Sequence, residues 1–512
     1  MKYDYVVIGA GVSGISSALL LARFGYRIAL LEQASRPAPL IDGFVHNGVY
    51  FEGGFHYAGG LERGGVLDRN LRMLGVAEDL QQVALAESTY DTVIQPENGL
   101  RFSFPQGYAA LQTSLQQQFP EQSPFIRTYL EQLQTATENL PYYNAQTSLS
   151  PLRLAELHEQ NLKQVLDDYA FSGDLRNLFE VHGLLYGARP EEIPFAIHAG
   201  VVDGYYRSAA TFKGGGRALV KALVAALKRG GVDLYCRHQV TEIELNSAGK
   251  IGVVVCAAGQ RLQTSGCIST LHPQMMLKLL PDRVFRPVYR RRLNGLAETA
   301  SADIVFLRCE RKLRSTLKEK ADLSEGKSAK PHKFAGRNFF FLPPTTKDLL
   351  DFELPLSERL LYLNFSAAGG ADETQECGLT AILPALSGAA ESSDLSALPY
   401  AEQKVYTGEQ VRQRITALLP ELGGGLKVEC VATRKTLQRI NLSPKGSLYG
   451  VKQMVGQFNP APKTRLEDFF LAGQAIAAPG LLGAITSALM AVGEIVGPEK
   501  MQTLRREVIC GG

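Results

Sequence analysis

The chain has 512 residues, 45% of them hydrophobic and 21% charged. Those are ordinary globular proportions; they exclude a disordered, collagen-like or coiled-coil protein and leave room for about two to four structural units. The 54 basic and 51 acidic side chains leave only +3, too balanced for a dedicated nucleic-acid binder, so no nucleic-acid partner is expected.

Residues 2–34 are predicted to form a strand, a glycine turn, a helix and a second strand. YDYVVIG (3–9) is an apolar strand run, ISSALLLARFG (15–25) has helical spacing and stops at Gly25, and YRIALLE (26–32) is the second strand. The uncharged run Tyr5–Ala22 imitates a secretion signal, but Arg23-Phe24-Gly25 stands where a small-residue cleavage site belongs. Residues 65–190 read as mainly helical: VLDRNLRMLGV, ALQTSLQQQF, FIRTYLEQLQTATENL and LHEQNLKQVLDDYA repeat apolar residues three and four apart. At 213–235 a glycine turn, a helix and a strand recur in KGGGRALVKALVAALKRGGVDLY, followed by short strands at 239–245, 249–258 and 267–270 with a hairpin among them. VYRRRL (288–293) and the Lys-biased run 311–333 are read as solvated segments, with contact to an anionic membrane as the sharper alternative. Further strands are expected near 337–342 and 360–366 and a helix near 409–419. Phe469–Gly493 carries no charge and has the length of a membrane span, but Pro479-Gly480 interrupts it, so a buried loop and helix are expected.

These elements describe one cofactor domain interrupted by insertions. Residues 1–88, 201–274 and 441–512 are assigned to it; 89–200, mainly helical, and 275–440 are assigned to a second domain. The seven cysteines form no CxxC pair and no cluster with histidine, so a reduced, cytoplasmic setting and no metal site are expected.

The strongest motif is GAGVSG, with Gly9, Gly11 and Gly14 between the first strand and its helix. The first glycine permits the tight turn, the second lets backbone N–H groups approach a pyrophosphate, and the third lets helix pack on strand. Glu32 ends the second strand, placed to accept hydrogen bonds from ribose hydroxyls and to disfavour a 2′-phosphate. A single fingerprint with a distant Gly-rich C-terminal segment fits FAD better than a flavin paired with a nicotinamide domain.

The chain resembles the phytoene desaturase, carotenoid isomerase and retinol saturase family of FAD enzymes. The resemblance is carried by GAGVSGISSALLLARFGYRIALLE, FEGGFHYAGG (51–60), GGGRALVKALVAALKRGGVDLYCRHQVTEI (214–243) and FLAGQAIAAPGLLGAITSALMAVGEI (470–495), in matching order and spacing. It implies an α/β fold: a Rossmann-type FAD-binding domain interrupted by an α+β substrate-binding domain. It implies that Gly9, Gly11, Gly14 and Glu32 bind the ADP half of FAD and that the Val240 main chain meets the adenine. Gly473 would end the strand along which FAD passes, and Gly480, Leu482 and Gly483 would form the turn beside the flavin. The helix from about Ala484 would point its N-terminus at the ring. Relatives carry a Gly-Gly doublet where this chain has Ala38-Pro39; Arg36 remains a phosphate-binding candidate, and an acidic residue often seen a little later is Glu52. Pro39 has no N–H, so a close backbone contact is expected to be lost there.

His56 and Tyr57 in FHYAGG are the candidates for groups acting beside the flavin; His182 is a weaker one, read as helix packing. The implied activity is oxidation, reduction or cis–trans isomerisation at C=C bonds of a long apolar polyene, carotenoid or retinoid-like, by hydride exchange with the flavin or by isomerisation over its reduced form. Implied partners are the apolar substrate, a membrane surface against which the protein sits peripherally, and an electron donor or acceptor. Two alternatives stand beside this. One is an amine oxidase-like enzyme, disfavoured because no aromatic pair is evident near the C-terminal segment and Trp is absent. The other is a carrier of prenyl lipids on the same fold, without flavin chemistry.

Overall fold

A computed structural model describes residues 2–138, 140, 143, 159–171, 173–309, 336–345, 348–366, 377–387 and 398–510. The Lys-biased run 311–333 lies outside the described residues.

In chain order the strands are β1 (Lys2–Ile8), β2 (Ile28–Glu32), β3 (Phe44–His46), β4 (Val49–Phe51), β5 (Ala58–Gly59), β6 (Gln82–Ala84), β7 (Asp91–Gln95), β8 (Leu100–Phe104) and β9 (Ala209–Phe212). There follow β10 (Asp233–Cys236), β11 (Val240–Leu245), β12 (Ile251–Cys256), β13 (Arg261–Ser269), β14 (Ser301–Cys309), β15 (Asn338–Phe341), β16 (Leu361–Phe365), β17 (Cys377–Ala385), β18 (Leu426–Ala432) and β19 (Phe469–Leu471). Two seven-stranded sheets carry the fold. The first runs β10-β2-β1-β13-β12-β11, with β19 also paired to β13; the second runs β18-β14-β17-β16-β15-β7-β8. A small sheet, β5-β9-β6, and the hairpin β3-β4 lie beside them. This is the mixed α/β architecture expected: a Rossmann-type sheet plus a second domain.

The helices that matter here are α1 (Val12–Arg23), α2 (Val66–Met73), α3 (Tyr108–Gln118), α4 (Ser123–Glu138), α5 (Leu162–Asp168), α6 (Gly173–Glu180), α7 (Phe195–Arg207), α8 (Gly215–Arg229), α9 (Tyr400–Leu418) and α10 (Gly480–Val496). α2 to α5 correspond to the four helical runs read from apolar spacing, with termini shifted by up to five residues; α6 and the strands β6, β7 and β8 lie in the same stretch and were not read. The uncharged run 469–493 resolves into β19, a loop and α10, with the break at Pro479-Gly480 as expected. No helix of the described residues is long and apolar enough to cross a membrane.

β2 is buried at all its positions, as a central parallel strand with both faces covered requires. β13 is longer than the run 267–270 suggested. Its first residues pair antiparallel with β12, then Gln263–Ser269 pair parallel with β1. Burial follows the change of partner: alternating while the strand is half-solvated, continuous once it enters the parallel centre.

Two close approaches set the helix starts. A Cβ on Gly14 would lie 1.8 Å from the Gly9 carbonyl oxygen, and one on Gly483 would lie 2.0 Å from the Ala478 oxygen. Only glycine permits either. α1 then packs against α10, and a buried hydroxyl relay joins them. Ser13 Oγ and Ser487 Oγ are 2.9 Å apart, Ser487 Oγ donates to the Ala484 carbonyl at 2.7 Å, and it accepts the Gly473 N–H at 2.8 Å. Ser487→Ala leaves that buried N–H without its acceptor. It is expected to lower unfolding free energy by about 1–3 kcal/mol, measured from the urea midpoint.

Candidate active site

At the nucleotide end, α1 begins at Gly11 with no side-chain cap and no acidic residue in its first turn. Its first N–H groups are free to meet an anion, and the helix dipole favours one there. A Cβ on Gly9 would lie 2.4 Å from Thr270 Oγ1, whereas a Cβ on Gly11 would meet no protein atom within 4 Å. The turn is therefore closed at its base and open at its tip, a cradle that a methyl group on Gly11 would fill. The Glu32 carboxylate accepts N–H bonds from Ala10 and Ala34, both at 2.8 Å. These hold it beneath the turn and leave lone pairs for ribose hydroxyls. The chain that leads to Val240 is fastened to the same place: the N–H of Arg237 donates to Ala34 O at 2.9 Å and that of His238 to Glu32 O at 2.7 Å. Gly473, at φ +113°, stands two residues past the end of β19.

Arg36 is held by its own loop, 2.8 Å from the Asp42 carboxylate and donating to Gly43 O at 2.6 Å. Ala38 takes the left-handed conformation usual for glycine, φ +42° and ψ +50°, and its N–H donates to Ala10 O at 2.8 Å. An alanine there costs about 1–2 kcal/mol. The backbone path of a glycine is thereby kept, and Pro39 opens a short helical turn, where a missing N–H loses nothing. The residues present fit FAD at this end.

His56, Tyr57, Gly480, Leu482 and Gly483 line one cavity of about 770 Å³. FHYAGG and PGLLG, from opposite ends of the chain, thus meet over a single space, and buried Ala484 follows in the first turn of α10. That turn has no side-chain cap and no acidic residue, so its N–H groups favour negative charge at the cavity. Four further tyrosines, which sequence reasoning missed, join the wall: Tyr143, Tyr205 from α7, Tyr362 from β16, and Tyr449. Burial pushes Tyr449 up to about 12 and raises Tyr57, Tyr205 and Tyr362 as well. All four are neutral phenols at physiological pH.

The Tyr57 hydroxyl donates to Asp91 Oδ2 at 2.7 Å, and Asn338 Nδ2 donates to Oδ1 at 2.9 Å. His182 Nε2 is 3.4 Å from the same carboxylate; the ring is fully buried against Phe104 and stands away from the cavity wall. His56 faces the Tyr362 ring at 5.9 Å and has Glu52 Oε2 3.6 Å from its Nδ1. Glu52 is buried; burial raises its pKa above the usual carboxylate range, against donors on His56 and Ser366. Among the described residues no group of three or more His, Cys, Asp or Glu is placed to hold a metal ion.

The chain is similar to known flavoproteins. The family model described as flavin containing amine oxidoreductase matches residues 12–381. All-trans-retinol 13,14-reductase of Rattus norvegicus is 25% identical over 96% of this chain and 85% of its own length. Phytoene desaturase of Cercospora nicotianae is 23% identical over 50% of this chain and 43% of its own. Among solved structures, putrescine oxidase bound to putrescine superposes with a TM-score of 0.63 at 14% identity, covering 100% of this chain and 99% of that one.

Two predictions follow from the geometry. Gly11→Ala is expected to melt like the wild-type apoprotein yet retain little FAD, whereas Gly14→Ala should lose about 1–3 kcal/mol of stability as well; flavin absorbance and thermal melts separate them. Folding favours neutral Glu52, because its folded pKa is raised. Wild-type stability therefore declines as pH rises past the ordinary carboxylate value, while Glu52→Gln escapes the decline. The variant should melt higher at about pH 8 and lose that advantage below about pH 4.

Proposed function

The chain belongs to the flavin containing amine oxidoreductase family, and from that premise we propose that it is an FAD-dependent oxidoreductase acting on C=C bonds of a long apolar polyene of carotenoid or retinoid type. The observation that carries the substrate class is the cavity wall. Leu184, Ile197, Val201, Ile382, Leu448 and Met490 surround the space into which the first turn of α10 opens. The retinol reductase and phytoene desaturase relatives support it. When bound, FAD supplies two-electron hydride exchange.

The protein's own part is positioning and charge. The first turn of α1 and the Glu32 carboxylate hold the ADP half, and the N-terminus of α10 favours negative charge at the flavin end. The apolar wall excludes water. Among the wall groups able to hold or move a proton are His56 and Tyr57, though the Tyr57 hydroxyl is engaged with Asp91.

A second reading, oxidation of an amine, is favoured by the tyrosine rings in the wall and by Glu159, an exposed carboxylate lining the same cavity. The test uses dithionite-reduced protein under nitrogen with retinoids and carotenoids, and oxidised protein in air with a panel of amines. Loss or shift of the polyene absorbance is expected, with electrons consumed per product separating saturation from isomerisation. Inert polyenes together with peroxide release from an amine would reverse the assignment.

A polyene is dissolved in bilayers, so the cavity is proposed to fill from a membrane surface. Phe458, 75% exposed, stands in the cavity wall and suits contact with lipid. Sedimentation with lipid vesicles should fall severalfold in Phe458→Ser, while FAD content stays unchanged.

A further inference from the structure

Adding or removing hydrogen across a C=C bond moves a proton as well as a hydride. Histidine is the side chain best suited to carry a proton near neutral pH, and His56 is the histidine in the cavity wall. Behind it, outside the wall, stands Glu52, 1% exposed and directly after β4. Its Oε2 is 3.6 Å from His56 Nδ1, within ion-pair reach but longer than a formed hydrogen bond. Ser366 stands close enough to favour the charged form of the same carboxyl group. Neither Glu52 oxygen and neither His56 nitrogen has a formed hydrogen bond in the protein, so Nε2, on the other edge of the ring, is open.

We propose that Glu52 is a positioning residue for His56: its carboxyl group takes the Nδ1–H and fixes the imidazole as the tautomer whose Nε2 is free to accept a proton. The physical reason is general. In a neutral imidazole one nitrogen is the donor and the other the acceptor, and the partner of one decides the role of the other. Burial favours the neutral carboxyl group, but His56 and Ser366 pull it back toward the ionised form, which accepts and does not donate and so selects Nδ1–H. The gap of 3.6 Å suits a pair that tightens when the neighbouring space is filled, as such contacts commonly do.

The surroundings leave this pairing uncontested. Tyr50 and Tyr362 face Glu52, and Tyr57, Tyr205 and Tyr449 share the cavity wall with His56; all five are held protonated by burial. Asp91 is engaged with Tyr57 and Asn338. Arg217 lies over the Tyr50 ring at 4.6 Å and 3.7 Å from Asp42. The direction of proton traffic rests on the polyene reading; the tautomer does not.

The test is nitrogen NMR of the FAD-loaded protein carrying labelled histidine, with the His56 signals identified by their loss in His56→Gln. The expected result is a proton on Nδ1 and a bare Nε2 in the wild-type protein. Glu52→Gln should keep the FAD and move the Nδ1 proton signal upfield, as a neutral acceptor replaces a charged one, and Glu52→Asp should recover part of the shift. With a polyene that turns over, Glu52→Gln should lower kcat about 100-fold with little change in KM. A proton on Nε2 in the wild-type protein, or a His56 spectrum indifferent to Glu52→Gln, overturns the proposal. If Glu52→Gln does not fold, the wild-type tautomer decides alone. Expected spectra without turnover of any polyene would overturn the substrate reading instead and leave the pair standing.

Discussion

Everything chemical in this molecule depends on two helices that start against backbone with no room for a side chain. Gly14 sits over the Gly9 carbonyl and Gly483 over the Ala478 carbonyl, each closer than any Cβ could stand. Ser487 then ties α10 to α1 through Ser13 and to the end of β19 through the Gly473 N–H. Neither helix carries an acidic residue in its first turn or a side-chain cap, so each presents uncompensated positive dipole. The fold has thus fixed two donor-rich ends in one body, and the negative charge that completes them comes from what is bound. Because ligand binding stabilises only the state that binds, the cofactor is also a stabiliser of this arrangement.

The cavity wall follows the opposite rule. Its tyrosines are neutral, and the Asp91 carboxylate is buried behind Tyr57 and Asn338 rather than turned into the space. In such surroundings electrostatic effects are strong because little screens them. One imidazole with a carboxyl group behind it therefore weighs more there than on a surface, and the helix end at Gly480 acts on any charge developing near it.

How much of this was legible depends on range. The βαβ unit, its three glycines and Glu32 were readable because turn, helix and strand are local and each glycine has a local reason. The uncharged run 469–493 was readable for the same cause, since proline and glycine announce the break. What could not be read was non-local. β13 looks like a short strand because one of its edges changes partner midway, from β12 to β19, while the other stays on β1. Tyr143, Tyr205, Tyr362 and Tyr449 come from separate segments with no shared motif, so nothing local announces that they meet in one wall. Ala38 shows a subtler limit. Residue identity does not reveal that the alanine adopts the glycine conformation and donates its N–H to Ala10.

The shared fold does not by itself choose between an amine and a polyene, since putrescine oxidase superposes along the whole chain. The choice lies in what the wall can desolvate. A cationic amine brought among Leu184, Ile197, Val201 and Met490 must give up its hydration and find a carboxylate in exchange. Glu52 stands outside the wall behind His56, and Glu159 is solvent-exposed rather than buried beside the helix end. A polyene gives up no such hydration and gains about 25 cal/mol for each Å² of apolar surface removed from water. In a wall of neutral phenols and aliphatic side chains, the uncharged substrate is the one whose entry costs least.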